Sequence, residues 1–430
     1  MRHLPKRADS AAPARSRRRC SVFTIAALSF SIGAASCFAP ALASPASAAE
    51  TCAPGTSAKV AGPPPALAQL GLSAGDAMPT GAGVLVAIID SGVDASRPQL
   101  SDAFGPGSVS LIADDQPASG LTDVFGHGTA IAGIIAARPS SQSGVVGVAP
   151  EAKIISIRAF RGDDDNLRSQ GLGPDAARTA AGIRLAADAG AQIIVVAMAD
   201  DTDEPGTRAA TEYATALGSL VVASAGDAVR TEDGAPAPIE ALEAPHYPAA
   251  YPDALGVTAL DIDGLTAVGG MRGAQVDVAA PGQNVLTTAT GAGDCVYAGD
   301  APDASFATAY AAGAAALVAE AFPLEGPAGW AYRLKATADR PNPDSHDPLV
   351  GWGRLQPLLA IGLRPDASTR GPESPFADNL STQIDPPTTQ VSAAAKAPDN
   401  TPVIIGVSAA ALSLLATFAV LGRLRRRFTA

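Results

Sequence analysis

The sequence predicts an α/β fold, a doubly wound parallel sheet with helices on both faces, and three observations carry that reading. An uninterrupted apolar run of strand length lies at 84–89, and further strand-length, largely aliphatic stretches recur at 153–158, 192–198 and 219–223. A run without polar alternation suits a strand covered on both sides, as strands in parallel sheets are. Between and after these runs lie stretches of helical length at 127–137, 174–189, 205–217 and 305–321. Strands that alternate with helices need crossover connections, which put helices on the faces of a parallel sheet. Both ends of the chain, finally, differ in composition from this middle.

In chain order, residues 1–48 read as a signal peptide. Arg2, Lys6, Arg7, Arg15, Arg17, Arg18 and Arg19 precede an uncharged run from Cys20 to Ala41. Small-residue cleavage sites follow at Ala41-Leu42-Ala43 and Ala46-Ser47-Ala48. Ser16-Arg17-Arg18 leaves twin-arginine export open beside the general route. Residues 49–78 are rich in Ala, Pro and Gly and include Pro63-Pro64-Pro65, which predicts an extended segment and not a domain. The folded domain is expected over 79–364. Composition then shifts to Pro, Ser, Thr, Asp and Asn over 365–401, a flexible stalk. Residues 402–422 carry no charge and are long enough to cross ~30 Å of hydrocarbon. Arg423, Arg425, Arg426 and Arg427 follow at once. Positive flanks stay cytoplasmic, so 423–430 is expected to be a short cytoplasmic tail on a single-pass type I membrane protein whose bulk is extracytoplasmic.

Charge agrees with export. The net charge is −12, and much of the basic content sits in the leader and the tail, so the part between is more acidic still. That balance argues against nucleic acid or anionic lipid as a partner. Of four cysteines, Cys20 and Cys37 belong to the leader, which leaves Cys52 and Cys295 in the mature chain. An even pair in an oxidising compartment is expected to bridge, strapping the N-terminal segment to a loop shortly before Ser305. The chain-entropy account rates so long a loop at roughly 5 kcal/mol.

Three separated segments carry candidate chemistry. Ile88-Ile89-Asp90-Ser91-Gly92-Val93 puts a carboxylate at a strand end, where desolvation is too costly without partners. Phe125-Gly126-His127-Gly128-Thr129 places a histidine between glycines that permit close backbone approach. Ser305-Phe306-Ala307-Thr308-Ala309-Tyr310 opens a long Ala-rich helix. A hydroxyl needs an imidazole to take its proton and a buried carboxylate to fix the imidazole tautomer, so Asp90, His127 and Ser305 are the candidate catalytic triad. Each has a structural reading as well: a turn-capping Asp, a solvated His and an N-cap Ser. No metal or cofactor is called for.

The order Asp, His, Ser, with His-Gly-Thr intact, resembles the subtilisin-like serine proteases (subtilases, peptidase S8) over roughly residues 80–360. The resemblance implies a subtilisin-like fold, endopeptidase activity and a protein or peptide substrate. It also assigns Asp227, in Ala225-Gly226-Asp227, to the oxyanion site, and Ala197-Met198-Ala199 to the wall of the substrate pocket. Departures from the family pattern cluster here. Asp227 stands where an oxyanion-binding Asn is usual, Asp303-Ala304 replaces Gly-Thr before the serine, Ala309 replaces a Pro, and Ala199 replaces a Gly. Leader, cysteine-bearing N-terminal segment, Pro-rich stalk and basic-tailed anchor are similar to one subgroup, the mycosins of type VII secretion systems. That likeness implies a place in the secretion membrane complex. A weakened or inactive subtilase-fold structural subunit of that complex is the alternative.

Overall fold

The computed structural model describes residues 59–72, 78–229, 231, 235–291, 293–366 and 368–376. The leader, Cys52, most of the stalk, and the apolar segment 402–422 with its arginine tail lie outside the described residues. Nine strands are present among them: β1 Leu85–Asp90, β2 Val109–Ser110, β3 Lys153–Arg158, β4 Ile193–Val196, β5 Leu220–Ser224, β6 Ala254–Leu260, β7 Val278–Pro281, β8 Val285–Thr288 and β9 Asp294–Tyr297. The helices are α1 Pro65–Gln69, α2 His127–Ala136, α3 Asp165–Ser169, α4 Ala176–Asp188, α5 Pro205–Ala216, α6 Ile239–Leu242, α7 Ala304–Ala321, α8 Gly326–Ala336 and α9 Pro357–Gly362.

Seven strands form one parallel sheet in the order β2-β3-β1-β4-β5-β6-β7. Side-chain alternation along each strand splits the core in two. Val86 and Ile88 of β1, with Ile193, Val195 and Val222, face α2 and α7. Ala87 and Ile89, with Ile194, Val196 and Val221, face α4 and α5. Each fully buried aliphatic side chain contributes about 1.5–3 kcal/mol, so both faces must be covered, as the apolar runs predicted. Successive strands leave β1 in opposite directions, to β3 on one side and β4 on the other, and a crevice opens beyond the strand ends at such a switch point.

Helix α7 runs through this core, with sixteen of its eighteen residues buried. Among the described residues it is the one helix long and apolar enough to cross a membrane, and its burial accounts for that composition. The β8–β9 hairpin clamps α2, with Thr287 and Thr288 hydroxyls donating to the carbonyls of Ala130 and Thr129, both at 2.9 Å.

The expected ends of these strands and helices hold within two residues, and in three places a difference has a visible cause. The segment before the domain is not merely extended: Pro65 opens α1, and Ala66, Leu70 and Leu72 bury in the main core. Proline is preorganised for a first helical turn, which the Pro-rich composition concealed. The third strand run stops at Val196 instead of Met198, because its ladder to β5 ends at Val196 opposite Ala223. Past Arg364, residues up to 376 still dock on the domain. Phe376 meets the Tyr332 ring edge-on at 5.7 Å, and Arg370 pairs with Asp344.

Candidate active site

Asp90 ends β1 at the carboxyl edge of the sheet and is 1% exposed. Its Oδ1 accepts the Ser91 N–H at 2.7 Å, and both carboxylate oxygens lie 2.9 Å from His127 Nδ1. An ionised carboxylate only accepts, so Nδ1 carries a proton and Nε2 faces the serine. His127 is the first residue of α2, behind Gly126, whose φ of 99° lies in the left-handed region. Gly128 is demanded by close approach: a Cβ there would stand 2.1 Å from the Gly92 carbonyl and 3.1 Å from Asp90 Cβ. Phe306 leans on the imidazole with ring centroids 5.5 Å apart.

The turn that carries His127 is held by a residue that the sequence patterns passed over. Asp123 is buried and accepts five donors: the N–H groups of Phe125, Gly126 and Thr129, and the hydroxyls of Ser91 and Thr129. Burial raises its pKa, against which those donors work. The Ser91 hydroxyl in turn accepts the Gly128 N–H at 3.0 Å, which ties the Asp90 turn to the His127 helix. No local pattern in the sequence marks it, because Asp123 lies three residues before the Gly126 N-cap and collects its donors only once the turn is folded.

Ser305 is the second residue of α7, 6% exposed, with Oγ 2.8 Å from His127 Nε2. Asp90, His127 and Ser305 are therefore joined in one continuous hydrogen-bonded chain, although 37 and 178 positions separate the partners in sequence. His127 feels burial, which would lower its pKa, but the charge and hydrogen bond of Asp90, with Asp303 and Asp123 behind, push it up to about 9.

The triad opens on a cleft of ≈ 730 Å³. Ala197, Met198 and Ala199 all line it, as do Gly226 and Asp227. Asp227 points at the helix start, where its Oδ1 accepts the Ala304 N–H at 2.6 Å. Desolvation and the neighbouring Asp303 charge push its pKa up to about 6. In this arrangement Asp227 accepts a hydrogen bond instead of donating one. Among the described residues there is no cluster of side chains suited to a metal. Cys295 is disulfide-bonded.

Comparison with known proteins decides the family. The subtilase family profile matches residues 81–353, the span that contains the whole site. The chain belongs to the subtilase family. Mycosin-1 of Mycobacterium tuberculosis (strain ATCC 25618 / H37Rv) is 34% identical over 333 residues, 70% of this subtilase and 73% of the relative. Mycosin-3 of the same strain is 33% identical over 370 residues, 76% and 77% of the two chains. Thermitase of Thermoactinomyces vulgaris is 34% identical over 239 residues, 56% and 76%. Among solved structures, MycP1 with its N-terminal propeptide removed aligns with a TM-score of 0.58 at 30% identity, over 71% of this chain and 100% of that one. The MycP3 protease from the type VII (ESX-3) secretion system aligns with a TM-score of 0.58 at 30% identity, over 72% and 90%. The subtilase is thus a relative of the mycosins, and its parallel seven-stranded sheet is the expected subtilisin-like one.

The two raised pKa values set opposed pH windows for this subtilase. A neutral Asp227, able to donate to an oxyanion, prevails below about pH 6, and a neutral His127, able to accept the serine proton, above about pH 9. Asp227→Asn puts a permanent donor in place. It should raise kcat for a peptide substrate progressively as pH climbs above 6, reaching about 10²–10³ above about pH 8, the size of one oxyanion donor in subtilisin. An unchanged or lower rate at every pH would remove Asp227 from the oxyanion site.

Proposed function

We propose that this subtilase is a membrane-anchored, extracytoplasmic serine endopeptidase of the mycosin type, acting on protein substrates in a type VII secretion complex. The observation that carries the reading is the Asp90–His127–Ser305 chain, at 2.9 and 2.8 Å, opening on a cleft large enough for a peptide. Ser305 is the nucleophile, His127 the base and later the acid, and Asp90 the group that orients it. Ala197, Met198 and Ala199 form one wall of the peptide site, and the Ala199 Cβ narrows the pocket that a glycine would leave open. The anchor is residues 402–422 with the arginines behind it, the export signal is residues 1–48, and Cys52 is the partner of Cys295.

A fluorophosphonate tests the nucleophile. The full chain should label at a single residue, Ser305, and Ser305→Ala should abolish labelling. Absence of any adduct from pH 5 to pH 10 would refute the endopeptidase. A second reading has its own observation: two carboxylates, Asp227 and Asp303, stand where a developing oxyanion should find donors. It makes the protein a structural subunit of the same complex. Unimpaired secretion in a deletion strain complemented with Ser305→Ala would favour it.

A further inference from the structure

The nucleophile has a second hydrogen-bond partner that the reaction does not need. Asp303 is the N-cap of α7, and its Oδ1 accepts both the Ser305 N–H at 2.8 Å and the Ser305 hydroxyl at 2.5 Å. A hydroxyl has one proton. Given to Asp303, it is not available to His127, and Nε2 must then be the donor in its 2.8 Å contact with Oγ. The N–H of the nucleophile is the backbone donor that would face a tetrahedral oxyanion in acyl transfer, and here a carboxylate already occupies it. We propose that Asp303 latches the active site: its carboxylate holds the proton and the N–H of Ser305 and keeps His127 as an imidazolium, so hydrolysis starts only when that carboxylate turns away or loses its influence. This rests on the endopeptidase reading of the triad.

The charges around the pair agree. Asp90 faces His127 from β1, Asp123 from the turn before α2, Asp303 from the start of α7, and Asp227 from the loop after β5. Tyr297 of β9 is neutral, its pKa pushed up to about 12 by burial and by Asp123. In the cleft wall beyond, Arg168 is outnumbered by Asp163, Asp175, Asp200 and Asp201, and His246 and Tyr247 complete the titratable set. Acid does not open the latch, because it keeps His127 charged. Alkali can: once His127 loses its proton, Nε2 becomes an acceptor and the serine hydroxyl can swing from Asp303 to it. The proton transfer that the latch withholds is therefore released as pH climbs toward about 9.

Asp303→Asn and Asp303→Gly separate the two halves of the latch from a mere helix cap. Asparagine caps a helix as well as aspartate does, so that variant keeps the fold and the Ser305 N–H contact but loses the charge. Glycine removes both. The His127 pKa is read by NMR on the full chain in detergent with 13C-labelled histidine, and the fluorophosphonate rate is read against pH on the same samples. In Asp303→Asn the His127 pKa should fall by about one unit or more, and labelling at pH 7.5 should rise on the order of tenfold for each unit. Asp303→Gly should also raise kcat at pH 10, where His127 is neutral in every variant, because the backbone donor is freed. A His127 pKa unmoved in Asp303→Asn overturns the latch and leaves Asp303 as a cap. A pKa that falls while no variant labels at any pH sustains the latch and overturns the endopeptidase reading.

Discussion

His127→Ala should lower kcat by about 10⁶ when both proteins are assayed at pH 9.5, where the wild-type imidazole is largely neutral. The size follows from the geometry. Ser305 Oγ has one basic nitrogen within reach, at 2.8 Å, and the other side chain it touches is the Asp303 carboxylate. Without the imidazole, the proton has no acceptor in attack and the leaving amine has no donor. The residual rate measures what the cleft and the remaining backbone donors supply by binding alone. Single-turnover hydrolysis of a peptide ester checks it, because esters leave more easily and keep the residue measurable. A fall of less than about a hundredfold would mean that some other group serves as the base.

Asp90→Asn should lower kcat by about 10⁴ with little change in KM. Both Asp90 oxygens lie 2.9 Å from Nδ1, so an amide in their place can present its NH2 to that nitrogen and stabilise the wrong tautomer, with the proton on Nε2. A second signature tells this from damage to the fold. Asp90 is the main group that raises the His127 pKa against the burial that lowers it, so in the variant the remaining activity should reach its plateau well below pH 9. The same linkage acts on stability. His127 has a raised folded-state pKa, so its charged pair with Asp90 stabilises the fold fully below about pH 6.5 and is lost as pH approaches 9. The pH at which catalysis is released is also where the fold loses that contribution, and denaturant midpoints of wild type and Asp90→Asn should converge there.

Much of the site was legible because its parts are short and local. A carboxylate at the end of a buried strand, a histidine between two glycines and a serine opening a helix are each visible in a few consecutive residues. Their order along the chain was enough to name Asp90, His127 and Ser305 as one triad. The parallel sheet was legible for a similar reason, since continuous apolar runs are intelligible only if helices cover both faces. What escaped were elements without a period of their own. The β6, β7 and hairpin strands, and the helices α1, α8 and α9, are short or lie among Gly, Pro and Ala, and they owe their form to the core they dock on. Asp123 escaped because its role is to collect five donors from a turn, and a lone Asp in a loop carries no mark of that.

The residue types in the oxyanion region were plain from the sequence, including the unusual Asp227 and Asp303. Their effect was not. By itself, the sequence determined which groups are candidates for catalysis and that acidic residues stand near Ser305. Only the tertiary structure decided which atoms those acids hold. Asp227 reaches across from the loop after β5 to the N–H of Ala304, while Asp303, two residues from Ser305, turns back onto its hydroxyl and its N–H. The physical reason is that composition sets the number of protons and acceptors, but which acceptor wins a shared proton depends on separations of a few tenths of an ångström. Those separations come from packing four distant chain segments around the end of one helix.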